Sequence, residues 1–131
     1  MRIISHGVDI VQCSRVEQLW KGHGEHFLNR VYTPAEQRYC LDTRVTVERL
    51  SGRFAAKEAV MKCLGTGWRG GIEWTDIETL SDPLGRPLCT LHGKTAELAR
   101  SLGIEQVQVS ISHAGEYAVA TALGLGPAGS R

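Results

Sequence analysis

The side chains with the clearest chemical potential in this 131-residue sequence lie on three separate segments. Asp9 lies near the start of the chain, Glu58 and Lys62 lie four residues apart in its middle, and His113 lies near its end. Mg²⁺ typically takes one or two protein carboxylates together with substrate phosphates and waters. An ammonium beside such a site can compensate phosphate charge without bidentate geometry. These residue types permit metal-assisted phosphate chemistry if the fold brings them together.

The two central charges belong to a predicted helix. Residues 53–67 are good helix formers without proline, and they end in glycines that are typical of helix termini. At 100° per residue Glu58 shares a face with large apolar side chains, and Lys62 lies one turn further on. The structural alternative is an ion pair between Glu58 and Lys62, with Lys57 extending to water, which contributes roughly 0.2–0.5 kcal/mol.

The other two candidate side chains, Asp9 and His113, are expected near strand ends. Residues 3–11 alternate as a strand whose one face carries small residues and Asp9. Residues 107–112 alternate in the same way and lead to His113, and residues 117–123 return as the second strand of a hairpin. The alternatives are a turn-capping role for Asp9 and a structurally packed His113.

Three helices are expected between the first strand and the middle of the chain. Ser14-Arg-Val-Glu reads as a capping box, which predicts a short helix to about Lys21. Residues 22–26 contain two histidines and a glutamate, but their glycines favour a flexible loop over a metal site. Thr33-Pro-Ala-Glu predicts a helix to about residue 41, and residues 45–64 predict a long helix that contains Gly52. Close packing could offset the cost of that glycine, about 1 kcal/mol.

The second half predicts a hairpin and one further helix before the last hairpin. Strands are expected over residues 72–80 and 88–92, and a helix over residues 94–102. The glycines at 65–67 and 70–71 follow a helix, whereas a phosphate-binding loop precedes one, so that kind of nucleotide site is not expected. The order predicts one α+β domain over residues 1–124, an antiparallel sheet packed with a long helix, and a frayed tail over residues 125–131.

Composition describes an ordinary globular protein with an uneven charge distribution. Apolar residues make up 42% and charged residues 22% of the chain, and the net charge is +1. No signal peptide or apolar run of ~20 residues is evident, so a cytoplasmic location is expected. The four cysteines lack metal or disulfide spacing and are expected to be free thiols. Residues 14–69 hold ten Lys or Arg against six Asp or Glu, which could form a basic face for an acidic partner.

Three motifs occur in a specific order along the chain. They are Gly-Val-Asp-Ile at residues 7–10, Phe-Ala-Ala-Lys-Glu-Ala-x-x-Lys at residues 54–62 and Ser-Ile-Ser-His at residues 110–113. Together they resemble the holo-[acyl-carrier-protein] synthase family of 4′-phosphopantetheinyl transferases over residues 3–123. The resemblance implies a Mg²⁺-dependent transferase of fatty acid and lipid biosynthesis, with a 4′-phosphopantetheinyl transferase-like fold.

The resemblance also implies a mechanism. Asp9 and Glu58 would hold Mg²⁺ on the pyrophosphate of coenzyme A, and a serine hydroxyl of an apo acyl carrier protein would attack the β-phosphorus. Phosphopantetheine would be transferred and adenosine 3′,5′-bisphosphate would leave. Lys62 would compensate phosphate charge, His113 would contact the phosphates or orient the site, and Glu58 acting through a metal-bound water is the candidate base.

The same resemblance assigns binding residues and partners. Those expected to contact coenzyme A are Arg53, Lys62, Gly65, Arg86, Pro87 and His113. Ala114 stands where the family often has a hydroxyl residue, so a phosphate contact is in question there. The family forms trimers with sites at subunit interfaces, which implies a homotrimer here, without nucleic-acid or membrane partners. Acyl carrier proteins are acidic, and Arg15 and Lys21 on the first helix are the expected contacts, with Arg44, Arg49 and Arg53 next.

Two other functions remain open at this point. A non-catalytic module could recognise a phosphorylated ligand through Lys57, Lys62 and His113. A Mg²⁺-dependent phosphohydrolase would share the metal site but release free phosphopantetheine or phosphate. Metal dependence of turnover and the mass of the product distinguish the three.

Overall fold

The secondary-structure elements follow the order predicted for an α+β protein, except that residues 13–64 form four helices where three were predicted. The computed structural model describes residues 1–65 and 71–128. The strands are β1 (Arg2–Gln12), β2 (Ile77–Ser81), β3 (Pro87–Leu91), β4 (Gln106–Ala114) and β5 (Tyr117–Gly126). The helices are α1 (Cys13–His23), α2 (Glu25–Val31), α3 (Pro34–Cys40), α4 (Thr46–Leu64) and α5 (Gly93–Ser101), with a 3₁₀ turn at Trp74–Asp76.

The larger sheet is antiparallel and carries the long helix. Its strand order is β1-β5-β4, and α4 packs against all three strands. The main apolar core lies between this sheet and α4. A Cβ on Gly7 of β1 would lie 2.2 Å from the Ala59 carbonyl oxygen, so only glycine lets strand and helix approach this closely. The fold class predicted from the sequence is confirmed.

A second core and a second sheet complete the molecule. Helices α1, α2, α3 and α4 contribute to a second cluster that includes Tyr32 and Leu50, where the Tyr32 hydroxyl donates to the Leu50 carbonyl at 2.8 Å. Strands β2 and β3 form a separate two-stranded antiparallel sheet. Helix α4 packs on the larger sheet and also contacts α1 and α3, so it lies between the sheet and these helices.

Local signals located the middle helices well. The capping box at Thr33 is present, and α3 begins at Pro34 as predicted. Helix α4 ends at Leu64, and Gly65 follows in the left-handed region with φ 77°. A Cβ on Gly52 would lie 3.0 Å from the His113 ring, so the predicted close packing at that glycine is confirmed.

Three local predictions were wrong in detail. Ser14 does not cap α1; its backbone N–H donates to the Glu116 carboxylate at 2.7 Å, across 102 residues of sequence. The predicted loop at residues 22–26 is only a break at Gly24, because α2 begins at Glu25. The strand predicted from residue 72 begins at Ile77, after the 3₁₀ turn.

The start predicted for the frayed tail, residue 125, is too early in the chain. Strand β5 continues to Gly126, where Leu125 pairs with Ile3 and Gly126 with Arg2. Pairing with the whole length of β1 orders these residues, which sequence pattern alone did not reveal. Residues 129–131 of that tail, and most of the glycine segment at 65–71, lie outside the described residues.

Candidate active site

Two carboxylates and a guanidinium from three elements line one cavity. Asp9 of β1, Glu58 of α4 and Arg15 of α1 border a cavity of about 590 Å³. Its apolar lining includes Phe54, Trp74 and Tyr117. The structure therefore brings together the two carboxylates that the sequence predicted as metal ligands.

The strand alternation explains why Asp9 points towards the helix. Gly7, Asp9 and Val11 share the face of β1 that packs on α4, and Gly7 is buried there. The larger apolar side chains Val8 and Ile10 lie on the opposite face, where they are 53% and 63% exposed. The small residues of β1 thus let α4 approach, and Asp9 follows them at the edge of the contact.

Lys62 is bound to Asp9 across the strand–helix contact. Its Nζ lies 2.8 Å from Asp9 Oδ1, and the two side chains are 57% and 15% exposed, respectively. This hydrogen bond and the charges of Asp9 and Glu58 raise the pKa of Lys62 above its usual value. The structural alternative paired this ammonium with Glu58; in the fold it is hydrogen-bonded to Asp9 of the neighbouring strand.

Lys57 is buried and does not extend to water, whereas the structural alternative for this helix required it to do so. Its side chain and that of Glu36 are both fully buried, with Nζ 2.7 Å from Glu36 Oε1. Nζ also donates to the carbonyls of Trp74 and Ile77. Burial lowers the pKa of Lys57, and the Glu36 charge opposes that shift. Because its donors are used inside the protein, Lys57 is not placed to bind a ligand.

An aromatic pair separates the cavity from a second, more apolar groove. The rings of Phe54 and Trp74 lie 5.0 Å apart at 31°. With Leu19 they line both the cavity and an adjoining groove of about 330 Å³. His23 and Arg30 are among the polar residues that line this groove. The surface beside the carboxylates therefore combines an apolar floor with basic groups.

The helix that carries Arg15 is held by the last hairpin. The N–H of Cys13 donates to the Glu116 carbonyl at 2.7 Å, and Ser14 donates to the carboxylate of the same residue. Arg15 and Lys21 are exposed on α1, and Lys21 lies 3.5 Å from Glu17. The hairpin turn thus fixes where α1 begins and where Arg15 enters the cavity lining.

The remaining predicted residues do not line this cavity. Arg53 is only 5% exposed; it stacks on Tyr39 at 4.2 Å and donates to Ser81 Oγ at 2.8 Å. His113 Nε2 lies 2.8 Å from the Glu48 carbonyl. Arg86 and Pro87 line a different cavity of about 370 Å³ against β4, and Gly65 is exposed at the end of α4. Burial makes Arg53 unsuitable as an alternative carrier contact.

Sequence reasoning missed several residues that shape the site. Trp74 and Tyr117 line the cavity, Glu116 caps α1, and Glu36 neutralises Lys57. Each acts through contacts with residues far along the chain, which local patterns do not report. The one available signal was the position of Lys57 among the small and apolar residues in the second half of α4, since a buried charge needs a partner.

The donor set fits a hard divalent cation. Asp9 and Glu58 supply carboxylate oxygens from two elements beside space for a ligand, which is the combination Mg²⁺ accepts together with phosphates and waters. Within residues 1–65 and 71–128 no third His, Cys, Asp or Glu joins them as a closed cluster. A cation here would depend on ligands supplied by a bound phosphate.

Known proteins match the chain over most of its length. The family model of the 4′-phosphopantetheinyl transferase superfamily matches residues 5–122. The holo-[acyl-carrier-protein] synthase of Koribacter versatilis is 48% identical over 121 residues, which are 92% of this chain and 97% of that protein.

Solved structures match the fold as well as the sequence. The holo-[acyl-carrier-protein] synthase of Neisseria meningitidis has a TM-score of 0.86 at 32% identity and covers 95% of this chain and 99% of its own. The Helicobacter pylori enzyme in complex with coenzyme A has a TM-score of 0.80 at 31% identity and covers 92% and 99%. The relatives found by sequence and those found by fold are all holo-[acyl-carrier-protein] synthases.

Proposed function

The chain belongs to the 4′-phosphopantetheinyl transferase superfamily, and we propose that it transfers 4′-phosphopantetheine from coenzyme A to a serine of an apo acyl carrier protein. It is an enzyme of the holo-[acyl-carrier-protein] synthase kind, as its relatives are. The observation that carries the proposal is that Asp9 and Glu58 line one cavity, with Lys62 hydrogen-bonded to Asp9.

The proposed reaction needs position and charge compensation from these residues. The serine oxygen forms a bond to the β-phosphorus of coenzyme A, the bond to the bridging oxygen breaks, and adenosine 3′,5′-bisphosphate leaves. Mg²⁺ held by Asp9 and Glu58 would supply charge neutralisation on the phosphates. Lys62 would stabilise the charge that develops on the leaving phosphate, and the partly exposed Glu58 carboxylate would accept the serine proton.

The carrier protein is proposed to approach over α1. Arg15 is exposed and also lines the cavity, so it links the carboxylates to the helix surface that carries Lys21. An acidic partner docked there would place a serine near Glu58, and its approach would be steered by the basic groups. The apolar groove beside Phe54 and Trp74 offers contact area next to them.

A homotrimer with shared sites is the matching proposal for assembly. Val8 and Ile10 of β1 and Tyr117 of β5 are large apolar residues that are about half exposed or more, and Ile10 and Tyr117 also line the cavity. A second copy seated on this apolar face would lie next to the carboxylates. It could supply the coenzyme A contacts proposed for Arg86, Pro87 and His113, which lie outside this cavity in one chain.

The other functions are less well supported. A phospholigand module using Lys57, Lys62 and His113 is disfavoured because Lys57 is enclosed with Glu36. A Mg²⁺-dependent phosphohydrolase would use the same carboxylates and is distinguished by its product. None of the described helices has the length and apolarity needed to span a bilayer; a cytoplasmic location stays a prediction.

The decisive test is incubation with coenzyme A, Mg²⁺ and an apo acyl carrier protein, followed by intact mass spectrometry. We expect phosphopantetheine on the carrier serine and an equal amount of adenosine 3′,5′-bisphosphate, and neither product with EDTA. Release of free phosphopantetheine or phosphate without carrier modification would indicate the phosphohydrolase. Binding without turnover would indicate the non-catalytic module.

A further inference from the structure

We propose that Lys62 occupies the metal-binding oxygen of Asp9 while phosphates are absent, and that it thereby couples binding of the divalent cation to binding of coenzyme A. The inference rests on the proposed function, since it takes Asp9 and Glu58 as the metal ligands. It adds a role for Lys62 that precedes the reaction itself.

The contact that carries the inference is the ion pair between strand and helix. Lys62 Nζ lies 2.8 Å from Asp9 Oδ1, within hydrogen-bonding distance. The Asp9 side chain is only 15% exposed. A cation therefore has to reach its carboxylate from the cavity, beside the ammonium. A Mg²⁺ ion binds carboxylate oxygen at about 2.0–2.1 Å with near-octahedral geometry. The ammonium and the ion therefore compete for the same carboxylate.

Electrostatics favour the ammonium at this position when no cation is bound. Asp9 and Glu58 line one cavity, where two carboxylates repel each other. The ammonium of Lys62 interacts with both charges. The ammonium therefore reduces the repulsion between the two carboxylates, as a bound cation would. A cation that binds without coenzyme A must displace the ammonium.

Lys62 is also free to move away from Asp9. Its side chain is 57% exposed and projects from the last turns of α4, on a flexible four-carbon stem. Phosphate oxygens of coenzyme A in the cavity would give the ammonium a second partner. Once it turns to them, Asp9 is available to the cation.

This exchange predicts positive coupling between the two ligands. Metal alone must displace the ammonium, whereas metal with a pyrophosphate finds the ammonium already engaged. By linkage, the metal must raise the affinity for coenzyme A by the same factor. Removing the ammonium should therefore tighten metal binding in the absence of coenzyme A, although the same residue is proposed to assist transfer.

The test measures Mn²⁺ binding by electron paramagnetic resonance of the free ion, with and without coenzyme A. Mn²⁺ is a hard-ligand substitute for Mg²⁺. Lys62→Gln should bind Mn²⁺ roughly five- to tenfold more tightly than wild type without coenzyme A. The further gain in Mn²⁺ affinity on adding coenzyme A should be smaller in the variant. Circular dichroism checks that the variant is folded, as expected for an exposed residue.

Arg100→Gln provides a matched control for net charge. Arg100 is exposed on α5 and does not line the cavity, so its removal should leave Mn²⁺ affinity unchanged. Unchanged or weaker Mn²⁺ binding by Lys62→Gln, compared with wild type, would overturn the inference. Asp9→Asn separates this failure from that of the proposed site: it should abolish tight Mn²⁺ binding. If it does not, the metal site itself is misplaced.

Discussion

Two lysines on one helix have opposite environments, and only one of them is available for chemistry. Lys57 and Lys62 are five residues apart on α4, yet Lys57 is enclosed with Glu36 while Lys62 is more than half exposed beside Asp9. A buried cation held by an anion and two carbonyls is a structural element. An exposed ammonium on a carboxylate can exchange partners. At the scale of single residues, burial separates the structural lysine from the one proposed to act on phosphate.

The carboxylates can be tested by substitutions that keep shape and remove charge. Asp9→Asn and Glu58→Gln should each reduce transfer at least about 100-fold with the fold intact, since even partners beyond the direct metal ligands typically affect affinity or activity by 10–100-fold. Steady-state rates over a wide range of Mg²⁺ concentrations, with melting curves for both variants, provide the measurement. Near-normal rates at saturating Mg²⁺ would contradict the assignment.

Lys57→Met should destabilise the protein by about 3–5 kcal/mol, because it leaves the buried Glu36 carboxylate without its counter-ion. The matched control is Lys21→Met, which removes an exposed lysine 3.5 Å from Glu17. That pair should contribute only about 0.2–0.5 kcal/mol. Urea unfolding of both variants gives the two values, and equal losses would show that the Lys57 pair is not stabilising the core.

The element that organises the site is the contact of α4 with β1. Gly7 lets β1 lie against the backbone of α4. Two residues further along β1, Asp9 contacts Lys62 of α4. The short side chains of this strand face therefore set the distance between the metal-binding candidates. Any residue that separates the two elements would also separate the site.

Gly7→Ala should destabilise the protein by roughly 3 kcal/mol or more, since its Cβ would lie 2.2 Å from the Ala59 carbonyl oxygen. Gly22→Ala is the control, because Gly22 lies in α1 and no atom is within 4 Å of its added Cβ. That change should stabilise by up to about 1 kcal/mol through helix propensity. Denaturant midpoints measure both effects, and a neutral Gly7→Ala would refute the close approach.

Helix α1 is the element proposed to receive the carrier protein. The double variant Arg15→Glu with Lys21→Glu should raise the apparent KM for the carrier while that for coenzyme A changes little, because reversed charges repel an acidic partner. Since exposed charges are screened over about 8–10 Å at physiological ionic strength, the difference should shrink with added salt. Equal KM values for the carrier at low salt would mean that it docks elsewhere.

At the scale of the whole molecule, no element within residues 1–65 and 71–128 covers the face of the larger sheet opposite α4. Val8 and Ile10 are exposed there, on the reverse of the strand face that packs on α4. Monomeric proteins rarely leave a large contiguous apolar patch in water. The proposed trimer would cover this face and bring a second copy next to the cavity.

Val8→Glu should convert the proposed trimer to smaller species and lower activity, since a buried unpaired charge would oppose the interface. Leu84→Glu is the control, because Leu84 is 92% exposed in the turn between β2 and β3, away from that face. Light scattering coupled to size-exclusion chromatography measures both variants and wild type. A wild-type protein that is monomeric at micromolar concentration would remove the trimer from the proposal.

The sequence by itself determined the helices with local start and stop signals and the order of the three motifs. The capping box at Thr33 and the terminal Gly65 act through neighbouring residues, so the local pattern is enough to predict them. Motif order identified the family that the comparisons then confirmed. Only the tertiary structure decided the partners of charged groups. Lys62 bonds Asp9 across 53 residues and Ser14 bonds Glu116 across 102, and such pairs depend on how elements pack, which periodicity and capping do not encode.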